Sequence, residues 1–133
     1  MYVHPKQREF DDTLRALFEE VDRRLEDRWS LAFERHPNRP ARGRTADASA
    51  DGLFEVAADF TAGIGSELGR GYLVSVRIAT LDEVPTERYE AFMAEASETV
   101  RELLPRYFPG RRLAVGRDGP RFKITGDFSL GFL

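Results

Sequence analysis

Asp51–Leu81 reads DGLFEVAADFTAGIGSELGRGYLVSVRIATL, and its side-chain parity decides the fold. Phe54, Val56, Ala58 and Phe60 alternate with Glu55, Ala57, Asp59 and Thr61. Tyr72, Val74, Val76 and Ile78 repeat the pattern. A period of two sends alternate residues to opposite faces of a strand, so each run predicts a strand with one buried and one wet face. Between the runs stand Gly63, Gly65, Gly69 and Gly71, more glycine than a tight hairpin needs.

Upstream, Phe10, Leu14, Leu17, Phe18, Val21, Leu25, Trp29 and Ala32 recur at spacings of three and four. That is one face of a helix, and it predicts a long helix over residues 5–34. Pro5 suits its first position, where the missing N–H costs nothing. Such a helix would be about 43 Å long, against roughly 36 Å for a compact domain of this size. An overhanging amphipathic end predicts self-association. Residues 35–50 then lack any apolar period, and Pro37, Pro40 and Gly43 keep them in a loop.

Downstream, Tyr89, Phe92, Met93, Ala96, Val100, Leu103 and Leu104 predict a second helix over 85–104, ending where Pro105 disfavours helical geometry in the residue before it. Asp118-Gly119 marks the turn of a second hairpin over 112–132, with Phe122, Ile124, Phe128, Leu130 and Phe132 on one parity. The order is αββαββ in a single domain, residues 1–133. Four strands with one apolar face and two amphipathic helices predict an α+β two-layer sandwich, an antiparallel sheet with both helices on one face. Moving the first strand of a ferredoxin-like βαββαβ chain to its end gives this same order. Phe54, Phe60, Val74, Val76, Phe92, Leu103 and Phe122 should be buried. The open face should carry Glu55, Asp59, Ser75, Arg77, Lys123, Thr125 and Asp127.

Composition narrows the classes. The 133 residues contain no cysteine, which excludes disulfides and thiol chemistry and fits a reducing, cytoplasmic setting. No uncharged run reaches the roughly 20 residues of a membrane span. His4 and His36 are the only histidines and lack ligand spacing, so no metal or cofactor is predicted. The net charge of −3 conceals a segregation. Residues 35–50 hold Arg35, Arg39, Arg42 and Arg44 against Asp47. Residues 105–123 hold Arg106, Arg111, Arg112, Arg117, Arg121 and Lys123 against Asp118. Clustered basic residues in an acidic chain mark a candidate anion site. With only Lys6 and Lys123 as lysines, arginine richness is also a compositional habit of the whole chain.

The predicted anion-binding set is Arg39, Arg42 and Arg44 from the loop with Gly63, Gly65, Gly69 and Arg70 from the glycine turn, whose backbone N–H groups could cradle an oxyanion. Arg70-Gly71-Tyr72 matches the opening of the RNA-recognition-motif signature, but Leu73 and Val74 break it and Tyr72 has the apolar parity, so that family is rejected. The sequence therefore predicts a small non-enzymatic binding module and a homodimer. Its ligand would be anionic: a nucleotide, a phosphorylated metabolite or an RNA backbone. The alternatives are a structural homo-oligomer without a small ligand, and an enzyme using Asp59, Arg77 and Asp127 on the open face.

Overall fold

Leu14, Leu17, Phe18, Val21 and Leu25 form the buried stripe of α1, which spans Pro5–Trp29. It is followed by β1 (Phe54–Thr61), β2 (Gly71–Ile78), α2 (Thr86–Tyr107), β3 (Leu113–Asp118) and β4 (Arg121–Gly126). This is a computed structural model, and it describes residues 5–47, 50–61 and 71–126. The architecture is α+β in the order αββαββ, with one open four-stranded sheet in the order β1-β2-β4-β3. All three pairings are antiparallel: β1 with β2 from Phe54↔Ile78 to Thr61↔Gly71, β2 with β4 around Leu73↔Lys123, and β3 with β4 from Leu113↔Gly126 to Asp118↔Arg121. The last strand thus inserts between the second and third. A ferredoxin-like sheet acquires this order when its first strand is moved to the chain end.

α1 lies on β1, α2 lies on β2, β4 and β3, and the helices pack on each other. The core between the layers holds Phe54, Val56, Val74, Val76, Phe92, Leu103, Phe122 and Ile124. Polar ties seal the helix–helix seam. The Tyr107 hydroxyl donates to Glu20 at 2.6 Å, Arg24 pairs with Glu102 at 3.1 Å, and the Trp29 indole N–H donates to Glu95 at 2.9 Å. Among the described residues no helix is long and apolar enough to cross a membrane.

Five expectations need correction. α1 stops at Trp29 instead of residue 34, because the chain turns back to bridge Arg35 to Thr80, and the His36 N–H donates to the Ala79 carbonyl at 2.7 Å. α2 runs through Pro105 to Tyr107: a proline near the helix end forfeits one hydrogen bond, and burying Leu103, Leu104 and Phe108 outweighs it. Phe60 has the apolar parity yet is 58% exposed. α1 covers β1 beside Val56, but at its own N-terminal end it lies over β2, where Phe10 stacks on Tyr72 with centroids 5.8 Å apart. Phe60 is left at the rim, edge-on to Tyr72 at 5.5 Å. Lys123, placed by parity on the wet face, is fully buried and pairs with Asp118 at 3.1 Å. It sits on the central strand β4 between Leu73 and Gly116, and the hairpin partner supplies the counter-charge that a buried ammonium requires. The turn itself is Gly119-Pro120, with Gly119 at φ +63° in the first loop position, where two-residue hairpins of the II′ type need glycine.

Candidate binding site

The loop after α1 is ordered by its own polar groups. Arg39 donates from Nε to the Gly52 carbonyl (3.1 Å) and from one terminal nitrogen to the carbonyls of Asp51 (3.1 Å) and Phe54 (3.2 Å). Asp51 is buried, and its Oδ2 accepts from the N–H groups of Gly43 (3.1 Å) and Thr45 (3.0 Å) and from the Thr45 hydroxyl (3.0 Å). Arg42 pairs with Asp27 on α1. The loop is therefore stitched to the start of β1 and to the flank of α1.

Two carboxylates of α1 complete this junction. Glu26 accepts the Leu53 N–H on both oxygens at 3.0 Å and the Phe54 N–H at 3.3 Å. One helical turn earlier, Asp22 accepts the Val56 N–H at 3.3 Å. β1 is an edge strand, so N–H groups on its outer side need partners from elsewhere. Gly52 permits the close approach: it sits at φ +72°, and a Cβ there would lie 2.8 Å from the Glu26 carboxyl.

At the Ala79 end of the sheet this scaffold forms a pocket of about 250 Å³ lined by His36, Asn38, Arg39, Arg77, Ala79 and Thr80. Arg77 grips one oxygen of Glu55 through Nε (3.0 Å) and a terminal nitrogen (2.7 Å). The remaining terminal nitrogen of Arg39 stands 3.7 Å from the same oxygen. His36 Nδ1 accepts the Asn38 N–H at 3.0 Å, which leaves Nε2 to carry the proton in the neutral ring. Two guanidinium groups thus converge on a single carboxylate oxygen beside an imidazole and an amide.

Of the residues predicted to bind an anion, Arg39 lies in this pocket. Arg42 is turned to Asp27, and Arg44 is exposed. Gly63, Gly65, Gly69 and Arg70 lie outside the described residues, as does Asp127. The loop does fold back along β1 as far as Asp47, which reaches a cleft lined by Ala58 and Tyr72. Asp59 and Arg77, paired in the alternative enzyme reading, face Leu73 and Glu55 respectively and stand about 13 Å apart along the ladder. His36 and Asn38 were missed because a loop without periodicity gives no orientation signal. Asp22 and Glu26 had one: Leu14, Phe18, Asp22 and Glu26 fall at successive steps of four, so two acids continue a row of the apolar stripe.

Residues 5–126 match a family described as "Uncharacterised protein". The chain belongs to that family. A protein of Borreliella burgdorferi with the description "Uncharacterized protein" is 40% identical over 123 residues, covering 92% of this chain and 96% of the relative. No solved structure matches. The family match spans both helices and all four strands, so the loop stitched by Arg39 and the pocket beside it lie within the family's own extent.

Proposed function

We propose that this protein is a small cytoplasmic, non-enzymatic binding module for an anionic ligand, bound in the pocket of His36, Asn38, Arg39 and Arg77. The observation that carries the reading is the convergence of Arg39 and Arg77 on one oxygen of Glu55. Both cations are already arranged around an oxyanion, and Arg39 is held in place by three backbone carbonyls. Glu55 acts as an internal occupant that a phosphate of a nucleotide, metabolite or RNA backbone displaces or joins. Phosphate suits paired guanidinium groups because each offers parallel N–H donors.

Thermal melting in sulfate or phosphate, against chloride at equal ionic strength, tests the site. The divalent anions should raise Tm. Arg77→Ala should abolish the increment, and Glu55→Gln should enlarge it by removing the competing charge. An equal response to chloride, or an unchanged increment in Arg77→Ala, would remove the reading.

The second element of the proposal is a homodimer, supported by Phe60, which is 58% exposed at the end of edge strand β1. Exposed aromatic residues on sheet edges favour pairing with another chain. Sedimentation across a hundredfold dilution should show a species near twice 15.1 kDa that dissociates in Phe60→Asp. A single 15.1 kDa species throughout would leave a monomeric module.

A further inference from the structure

A second cavity, larger than the arginine pocket, is lined by α1, β1, Tyr72 of β2 and Asp47 of the loop. It encloses about 370 Å³. Leu14, Phe18, Val56 and Tyr72 supply apolar walls. Asp11, Glu19 and Asp47 stand at its lining against Arg15, so its charge is opposite to that of the arginine pocket. Asp22 also lines it and is only 4% exposed. Its carboxyl accepts a long hydrogen bond, from the Val56 N–H to Oδ2 at 3.3 Å. A carboxylate this buried is costly in its charged form unless a positive group joins it.

We propose that this cleft binds an organic monocation, a primary ammonium on an apolar stem, with Asp22 as its counter-ion and the Leu14–Phe18–Val56–Tyr72 walls around the stem. A metal ion fits less well: among the described residues no group of three or more His, Asp or Glu could hold one. The four apolar walls reward an alkyl stem, which a hydrated inorganic cation lacks. The chemistry is shared by a free alkylamine and by a lysine side chain of another protein. The state of Asp22 supports the reading. Burial, with Glu26 and Asp51 nearby, pushes its carboxyl up to about 8 against the opposing pull of the Val56 N–H and Arg39. Asp11, Arg15 and Glu19 on its own helix, Asp47 from the loop and Tyr72 from β2 are the other charged or titratable groups around the cleft. A bound ammonium favours the ionised carboxylate and draws that value down.

The test is an NMR titration of the full chain with n-pentylammonium, with N-acetyl-lysine methylamide as the peptide-borne arm and 1-pentanol as the uncharged isostere. Either ammonium should shift the signals of Leu14, Phe18 and Val56 with millimolar affinity, as so few heavy atoms allow. The stronger arm names the source. Affinity should fall about tenfold per pH unit below about pH 8, because binding must first deprotonate Asp22. Asp22→Asn keeps the shape and an acceptor for the Val56 N–H, so the variant stays folded while losing both ammonium binding and its pH dependence. Equal binding of pentanol, ammonium binding retained by Asp22→Asn, or no shift at the cleft residues would overturn the proposal.

Discussion

Glu26→Ala is expected to destabilise the fold by roughly 2–6 kcal/mol, because two buried N–H donors are stranded at about 1–3 kcal/mol each. Those donors are Leu53 and Phe54, both at most 1% exposed. A domain has only about 5–15 kcal/mol in hand, so the variant should lose a large share of its stability. Urea denaturation measures this directly as a lower midpoint at unchanged slope. Glu26→Gln should cost less, since its amide oxygen still accepts one bond while its NH₂ group meets an N–H. A loss below about 0.5 kcal/mol in the alanine variant, the range of ordinary surface substitutions, would show that the β1 edge finds other partners.

Four residues earlier on the same helix the sign reverses. Asp22 is also buried and takes one long hydrogen bond, and desolvation raises its carboxyl to about 8. A carboxyl whose folded value exceeds the unfolded one favours the protonated folded state. Its stabilising share is complete below about pH 4 and is lost as pH rises through about 8. Over that window the native state of the parent should lose roughly 5 kcal/mol, at 1.36 kcal/mol per pKa unit. Asp22→Asn removes the ionisation. It should match the parent near pH 4 and exceed it at about pH 9 by several kcal/mol, a Tm gain on the order of 10 °C. Melting curves of both proteins between those limits decide the matter. Parallel stability–pH profiles would show that Asp22 is solvated in the folded state.

The strand faces were legible because their cause is local. Alternation in Phe54–Phe60 and Tyr72–Ile78 is imposed by the backbone whatever lies above it, and the steps of three and four in Phe10–Leu25 are imposed by the helix. From those periods alone followed the αββαββ order, the two layers and most of the core. The order of helices and strands was compatible with a permuted ferredoxin-like topology, but the strand order β1-β2-β4-β3 came from the structure alone. Local rules failed where a residue's surroundings come from distant chain. Phe60 has the right parity, but exposure depends on the angle at which α1 crosses the sheet. Lys123 has the wet parity, yet it is fully buried, and its ion pair with Asp118 on β3 makes that tolerable.

The binding residues divide in the same way. The sequence showed an arginine-rich loop in an acidic chain, which is a matter of composition. Only tertiary structure decided that Arg39 would be held by three carbonyls, that Arg42 would turn to Asp27, and that Arg77 would share Glu55 with Arg39. A guanidinium's partner is whichever acceptor the fold brings within about 3 Å, and spacing along the chain carries no information about that. Asp22 and Glu26 are the instructive pair: their positions in the helical row were readable, and their burial was not. It required the edge of β1, 28 residues beyond Glu26 at Phe54, to come to rest against them with its N–H groups unpaired.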